Sequence, residues 1–178
     1  MGSATLAPGA SARLWRALRH LLTDHADLRR AIDPAVLAAV ATQVGAGEQG
    51  HLAELRVALE PSLAPLTVLR GLSPRERALE VFGRLGVWDT EGNNGVLLYL
   101  LLADHAVEIV ADRAAARAIP QAQWDAVARD LAQAFAAGQG AAGLQAAVAR
   151  ITELLSAAFP VSEAARNPDE LPDRPAVL

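Results

Sequence analysis

The chain has 178 residues, of which 52% are hydrophobic, and a formal net charge of −4. This length and composition suit one domain with a sizeable core and exclude a globally disordered protein. All 16 basic residues are arginines, and there is no cysteine. Thiolate catalysis, iron–sulfur clusters, cysteine-based zinc sites and lysine-dependent catalysis are therefore excluded. The mildly acidic charge argues against nucleic acid as a partner.

The sequence predicts neither a membrane span nor a secretion signal. The longest apolar run, residues 96–103, has eight residues, whereas a membrane-spanning helix needs about 20. Residues 1–10 are small and polar, without the basic and then apolar pattern of a signal peptide. We therefore expect a cytoplasmic protein whose first ten residues are a flexible N-terminus.

Two helices are predicted before the first strand. Ser11 caps the first, and its leucines fall on one face, as in a helix packed on a core: Leu14, Leu18, Leu21 and Leu22. Asp33 and Pro34 begin the second, as an N-cap followed by proline at the first helical position. Gly45 and Gly47 are expected to end that helix.

The central part of the chain alternates strands with one helix. Residues 55–59 alternate apolar and polar side chains, which predicts a half-buried strand. Residues 73–76 form a capping box that begins a helix, and its inward residues are Ala78, Val81, Phe82, Leu85 and Trp88. Residues 96–103 are apolar throughout, which indicates a central strand covered on both faces. Residues 107–111 alternate again and pair with it as a hairpin, with Asp104 and His105 at the tip.

Two further helices, beginning at Pro120 and ending at Pro160, complete the pattern. The order helix–helix–strand–helix–strand–strand–helix–helix predicts an α/β fold, a three-layer αβα sandwich with a small mixed sheet. We expect one domain over residues 11–160 and an extended, proline-containing tail over residues 161–178. The three tryptophans, Trp15, Trp88 and Trp124, lie in apolar helical registers, so core packing is expected for each.

The central segment resembles the TPM domain family, which includes thylakoid-lumen phosphatase and photosystem II repair-like domains. The likeness begins at Arg77-Ala78, in a helix whose end is rich in apolar residues. It continues through residues 93–98 (Asn-Asn-Gly-Val-Leu-Leu) and the valine–isoleucine–valine strand at residues 107–110. The resemblance covers residues 48–159, with the helices of residues 11–46 packed on that core. The loop at residues 88–91 and the tail at residues 167–173 are similar to a short, soluble proteobacterial branch.

The chain departs from the family after the second hairpin strand. Where relatives tend to have a Gly-x-Gly-hydrophobic-Glu turn, residues 112–116 read Asp-Arg-Ala-Ala-Ala. Both glycines and the glutamate are missing. A metal site that uses this glutamate in relatives would be weaker here.

The predicted topology gathers polar side chains from three loops at one end of the sheet. Carboxylate and amide oxygens of this kind suit Ca²⁺ or Mg²⁺. The predicted metal ligands are Glu54, Asp89, Asn93, Asn94 and Asp112, and the residues predicted to assist binding are Glu48, His51 and Arg113. The resemblance implies the same chemistry, because calcium binding and weak acid-phosphatase activity are known in some family members.

Turn chemistry offers a structural alternative for the same residues. Residues 93–95 are Asn-Asn-Gly, which tolerate a positive φ, and they lack the spacing of an EF-hand. Glu48 and His51 are spaced like a di-metal pair, but a satisfied histidine in a helix-to-strand connection is the simpler interpretation. The loop at residues 60–65 has no glycine to cradle phosphate, so no nucleotide cofactor is expected.

Two functions from different classes remain. The first is a non-enzymatic interaction module that binds a protein partner and holds a structural Ca²⁺. The second is a divalent-metal-dependent acid phosphatase that uses the oxygen-rich end of the sheet. We prefer the first, because no nucleophile is identifiable and only Arg113 and Arg56 offer positive charge near that end.

Overall fold

The computed structural model describes residues 9–162 and 167–178. Within these ranges there are eight α-helices: α1 (Ala10–Leu22), α2 (His25–Ala31), α3 (Pro34–Glu48), α4 (Pro65–Leu69), α5 (Pro74–Arg84), α6 (Arg113–Ala118), α7 (Gln121–Ala136) and α8 (Gly140–Ala158). The strands are β1 (Leu55–Glu60), β2 (Val96–Leu101), β3 (Ala106–Ala111) and β4 (Ala176–Val177). None of the described helices combines the length and apolar character needed to cross a bilayer.

The four strands form a mixed sheet in the order β3-β2-β1-β4. β1 is parallel to both β2 and β4, and β2 is antiparallel to β3. Leu55 lies opposite Val96, which lies opposite Ala111. The starts of β1 and β2 and the end of β3 therefore share one end of the sheet, called here the cluster end. The β2–β3 turn lies at the other, the hairpin end.

Helices cover both faces of the sheet, which confirms the predicted αβα sandwich. One core cluster joins Val57 and Leu98 to α3, α6, α7 and α8. The other joins Leu97 and Tyr99 to residues of α1, α4 and α5 and to Leu171 of the C-terminal segment. The apolar run at the centre of the sheet is buried along all six residues of β2, as predicted.

β1 is more deeply buried than the alternation of its side chains predicted. All six residues are buried, including the charged Arg56 and Glu60 on its second face. Arg56 donates hydrogen bonds to the carbonyls of Pro172 and Arg174. Glu60 accepts two hydrogen bonds of 2.9 Å from Arg77 and one of 2.7 Å from Tyr99. These hydrogen bonds satisfy both charged groups, so the face of β1 that carries them can be buried away from water.

Several local predictions differ from the structure. Three short helices, α2, α4 and α6, and the two-residue strand β4 were not predicted, because five to seven residues hold too few turns for a periodic pattern. α3 continues through both of its glycines to Glu48. The Asp104–His105 tip is confirmed as the hairpin turn, with His105 in the left-handed conformation at φ 50°.

The expected inward packing of α1 is wrong. Its large apolar side chains point to solvent: Leu14, Trp15, Leu18, Leu21 and Leu22. The buried positions are instead Ala17 and His20. Trp88 is also exposed, because α5 ends at Arg84 and a positive φ at Gly86 redirects the chain. Trp124 is buried, as predicted.

Candidate functional site

Three acidic side chains converge at the cluster end of the sheet. Glu48, the last residue of α3, is 5% exposed, and its Oε1 accepts a hydrogen bond of 3.0 Å from the backbone N–H of Leu55. Asp169 and Asp173 reach it from the C-terminal segment, residues 167–178. One carboxylate oxygen of each of the three lies within 4.8 Å of the others. Across residues 9–162 and 167–178, no other trio of acidic or histidine side chains comes this close.

The C-terminal segment is fastened to β1 and to the residues before it. Asn167 donates a hydrogen bond of 3.2 Å to the carbonyl of Ala53, and the N–H of Leu171 donates one of 3.0 Å to Glu54 Oε2. β4 then pairs with β1, and the N–H of Leu178 donates to the carbonyl of Leu59 at 2.9 Å. These contacts hold both aspartates of the cluster against the domain.

A glycine in α3 makes room for one of the aspartates. A Cβ atom placed on Gly45 would lie only 2.4 Å from Asp173 Oδ2. Any larger residue at this position would force the carboxylate away from the helix. The absence of a side chain therefore lets Asp173 approach the backbone of α3 and reach Glu48.

The cluster end gathers more buried acidic side chains than nearby basic ones. Burial above all, with smaller contributions from the charges of Glu54 and Asp173, raises the pKa of Glu48 to about 9 against the hydrogen bond from Leu55. Burial likewise raises the pKa of Glu54, whose exposure is 0%. Arg56 is the cation close to this group, and its guanidinium already donates to two carbonyls.

Two buried oxygens of this acidic group have no hydrogen-bond partner among the described residues. They are Glu54 Oε1 and Asp173 Oδ1. A carboxylate oxygen buried without a donor is costly, because it loses its water without replacement. The three converging carboxylates form a donor set suited to a hard divalent cation, and Glu54 lies beside them. A groove of about 1080 Å³ runs between α3 and the C-terminal segment and gives solvent access to Glu48, Asp169 and Asp173.

The structure divides the residues predicted from sequence into separate groups. Glu48 belongs to the acidic cluster, and Glu54 lies beside it. Asn93, at φ 49°, accepts a hydrogen bond of 2.7 Å from Arg113 through its side-chain oxygen. Asp112 caps α6 and accepts a hydrogen bond of 2.7 Å from the N–H of Arg113, while its buried Oδ2 has no partner within the described part of the chain. Asn93, Asp112 and Arg113 thus form a second polar group at the same end.

The other predicted residues take structural or surface positions. Asn94 donates a hydrogen bond of 2.6 Å to the carbonyl of Leu52, and its buried Oδ1 has no partner among residues 9–162 and 167–178. His51 is 1% exposed with Nδ1 2.8 Å from the carbonyl of Ala53, and burial lowers its pKa. Nδ1 therefore carries a proton and binds the backbone. Asp89 lies exposed in its loop.

Sequence reasoning missed the two aspartates that complete the cluster. Asp169 and Asp173 lie in the stretch Asn-Pro-Asp-Glu-Leu-Pro-Asp, residues 167–173. Two prolines among three acids restrict the backbone, a signal that such a segment is held in one conformation. Their proximity to Glu48 has no trace in the sequence, because more than a hundred residues separate them.

Comparison with known proteins identifies the domain. The sequence profile of the TPM domain matches residues 25–154, well over half of the chain. The chain belongs to the TPM domain family. The resemblance read from residues 77–110 is thereby confirmed. Of the acidic cluster, Glu48 lies inside the matched TPM region, whereas Asp169 and Asp173 follow it.

A solved structure supports the same fold. The chain is similar to the NMR structure of the BA42 protein from the psychrophilic bacterium Bizionia argentinensis, with a TM-score of 0.71 and 22% sequence identity. The likeness covers 83% of this chain and 95% of that one. At this identity it shows the fold alone. A search of curated proteins finds no match to the chain.

Proposed function

We propose that this TPM domain is a non-enzymatic interaction module that binds a divalent cation, Ca²⁺ in preference to Mg²⁺, through Glu48, Asp169 and Asp173. The ion fastens the C-terminal segment to α3 and thereby shapes a surface for a protein partner. The observation that carries the proposal is the convergence of three carboxylates from two distant parts of the chain. The buried oxygen of Asp173 that has no hydrogen-bond partner among the described residues also supports it.

The donor set favours Ca²⁺ over Mg²⁺. Ca²⁺ accepts six to eight oxygens in irregular geometry, whereas Mg²⁺ demands a near-ideal octahedron and retains several waters. Here the carboxylates come from a helix end and from an extended segment, and the adjoining groove leaves room for water. When bound, the ion supplies the positive charge that this group of acids lacks.

The acid-phosphatase alternative has weaker support from the geometry. Phosphoryl transfer needs positive side chains aimed at the phosphate. Arg56 is 9% exposed and donates to the carbonyls of Pro172 and Arg174, and Arg113 donates to Asn93 in the second polar group. A binding role for the cluster needs neither arginine.

A titration of the chelator-treated protein with Ca²⁺ and with Mg²⁺ tests the proposal. At a hundredfold excess over Kd we expect Ca²⁺ to stabilise the fold by about 2.7 kcal/mol, which raises Tm by roughly 5–10 °C. Limited proteolysis should show slower cleavage within the C-terminal segment when Ca²⁺ is present. No thermal response to either ion would contradict the proposal.

Two matched variants identify the group that holds the ion. Asp173→Asn should abolish the thermal response, because it removes a ligand charge, whereas Asp112→Ala should retain it. The opposite pattern would move the site to the group of Asn93, Asp112 and Arg113. Metal-dependent hydrolysis of p-nitrophenyl phosphate that disappears in Glu48→Gln would favour the phosphatase instead.

A further inference from the structure

Helix α1 docks on the domain through its polar side. Arg16 donates to both carboxylate oxygens of Asp104 at 2.7–3.1 Å and to the carbonyl of Leu72 at 2.7 Å. The ring of His20 is fully buried, with Nδ1 accepting the N–H of Leu63 at 2.9 Å and Nε2 3.1 Å from Asp104. These contacts determine which side of the helix faces the protein.

The opposite side of α1 is a continuous apolar stripe, defined here as Leu14, Trp15, Leu18, Leu21 and Leu22. At about 100° per residue the five side chains span roughly 120° of the helix surface, with Leu18 at the centre. Their exposed fractions are 64%, 68%, 40%, 68% and 71%. No charged side chain interrupts the stripe. Among the described residues, none covers it.

The stripe and two leucines of the adjoining helix α4 together have the size of a protein interface. A large apolar side chain has on the order of 150–250 Å² of surface, so the five residues expose roughly 600 Å². α4 packs beside α1 and adds Leu66 and Leu69, which are 69% and 40% exposed, for roughly 800 Å² in all. A stable interface buries about 800 Å² per partner, whereas the largest apolar patch of a monomer is about 300–600 Å².

We infer that the α1 stripe is a dimer interface that binds the same stripe of a second copy of this chain. Its leucines recur at intervals of four and three residues, the spacing of side chains that interlock between two helices. A stripe without charges is self-complementary, as a twofold interface requires, because no like charges meet across the axis. The twofold axis passes close to Leu18. The inference is independent of the proposed cation site.

Charge argues against a membrane as the occupant. A helix that lies on a lipid surface uses basic side chains of its polar face to bind anionic headgroups. Two of the three arginines of α1, Arg16 and Arg19, instead pair with Asp104. The net charge of −4 also opposes approach to an anionic surface.

Sedimentation equilibrium of the full chain over a wide concentration range tests the inference. We expect a mass twice the 18.6 kDa of one chain. Leu18→Glu should raise the dimer dissociation constant by roughly 100-fold, the effect of losing a central interface residue. Leu79→Glu, at a leucine of α5 that is 50% exposed, should leave it unchanged. Circular dichroism would establish that both variants are folded.

The cysteine-free chain allows a second, geometric test. A thiol-specific bifunctional reagent should cross-link two copies of the Leu18→Cys variant covalently. The Leu79→Cys variant should not be cross-linked and should run as a monomer under denaturing conditions. A protein that stays monomeric at every concentration, or equal cross-linking of both variants, overturns the inference. So does a monomer that floats with anionic phospholipid vesicles and loses this binding in Leu18→Glu, since the stripe would then be a membrane surface.

Discussion

At the hairpin end of the sheet one carboxylate, Asp104, lies among three basic side chains, whereas at the cluster end Glu48 lies among other acids. Burial alone would raise the pKa of Asp104, but hydrogen bonds and charges from His20 and Arg16 outweigh burial and hold it well below its ordinary value. His20 Nδ1 accepts the N–H of Leu63, so its Nε2 carries the proton that faces Asp104.

At the cluster end, the neighbouring acids add to the effect of burial on the pKa of Glu48 instead of opposing it. Burial is the main cause that raises the pKa of Glu48 to about 9, and the neighbouring acids Glu54 and Asp173 act in the same direction. A buried charge that is neutralised by opposite charges can join elements of the fold, as Asp104 joins α1 to the β2–β3 turn. Buried charge that is unbalanced costs stability unless a proton or a cation compensates it. We therefore interpret the neutralised carboxylate Asp104 as a structural contact and the acidic cluster around Glu48 as a candidate binding site.

The substitution with the largest expected effect on stability is at Asp104, at the hairpin end of the sheet. Asp104→Asn keeps the shape but removes the charge, and leaves Arg16 and His20 facing a neutral amide. We expect a loss of about 3 kcal/mol in the free energy of unfolding, measured by urea titration at pH 7. An unchanged midpoint would mean that other contacts hold α1 in place.

At the cluster end, the free energy of unfolding should change with pH in the opposite direction from that expected for an ordinary ion pair. A carboxyl group whose pKa is higher in the folded protein binds more protons when folded, so the free energy of unfolding falls as the pH rises between 4.5 and about 9. Without divalent ions we expect this fall between pH 5 and pH 9, and excess Ca²⁺ should remove it.

Glu48→Gln provides the control for that pH dependence. The amide cannot ionise, and its oxygen still accepts the N–H of Leu55, so the variant should be more stable at pH 8 by about 2 kcal/mol without ions. It should also lose the response to Ca²⁺. A variant that is less stable at pH 8 would show that the carboxylate of Glu48 is already compensated.

A smaller effect is expected from the glycine beneath Asp173. Gly45→Ala should lower Ca²⁺ affinity about tenfold, equivalent to about 1.4 kcal/mol, because the added methyl displaces the carboxylate. Gly47→Ala is the matched control, since its Cβ would meet Thr152, 2.8 Å away, rather than the cluster. Isothermal calorimetry of both variants measures the difference; equal affinities would remove Asp173 from the ligand set.

The smallest effect is expected at Asp89, the exposed acid of the same end. Asp89→Asn should change the free energy of unfolding and the Ca²⁺ affinity by less than about 0.5 kcal/mol. A clear loss of affinity would show that the loop of residues 88–94 closes on the ion.

Local chemistry in the sequence was sufficient for most of the architecture. The capping box at Ser73, the apolar run of β2 and the alternation of β3 each correspond to an element of the structure. Because parallel and antiparallel pairing then determine which strand ends meet, the sequence also predicted that Glu48, Glu54 and Asp112 share one end of the sheet.

Two features were decided only by the tertiary structure. The periodicity of α1 defines an apolar stripe and a polar side, but which side packs depends on Asp104, some eighty residues away in the chain. The acidic cluster likewise needs the C-terminal segment to pair with β1 before Asp169 and Asp173 can reach Glu48. Patterns along a chain report neighbours within a few turns, whereas charge balance in the interior depends on groups that only folding brings together.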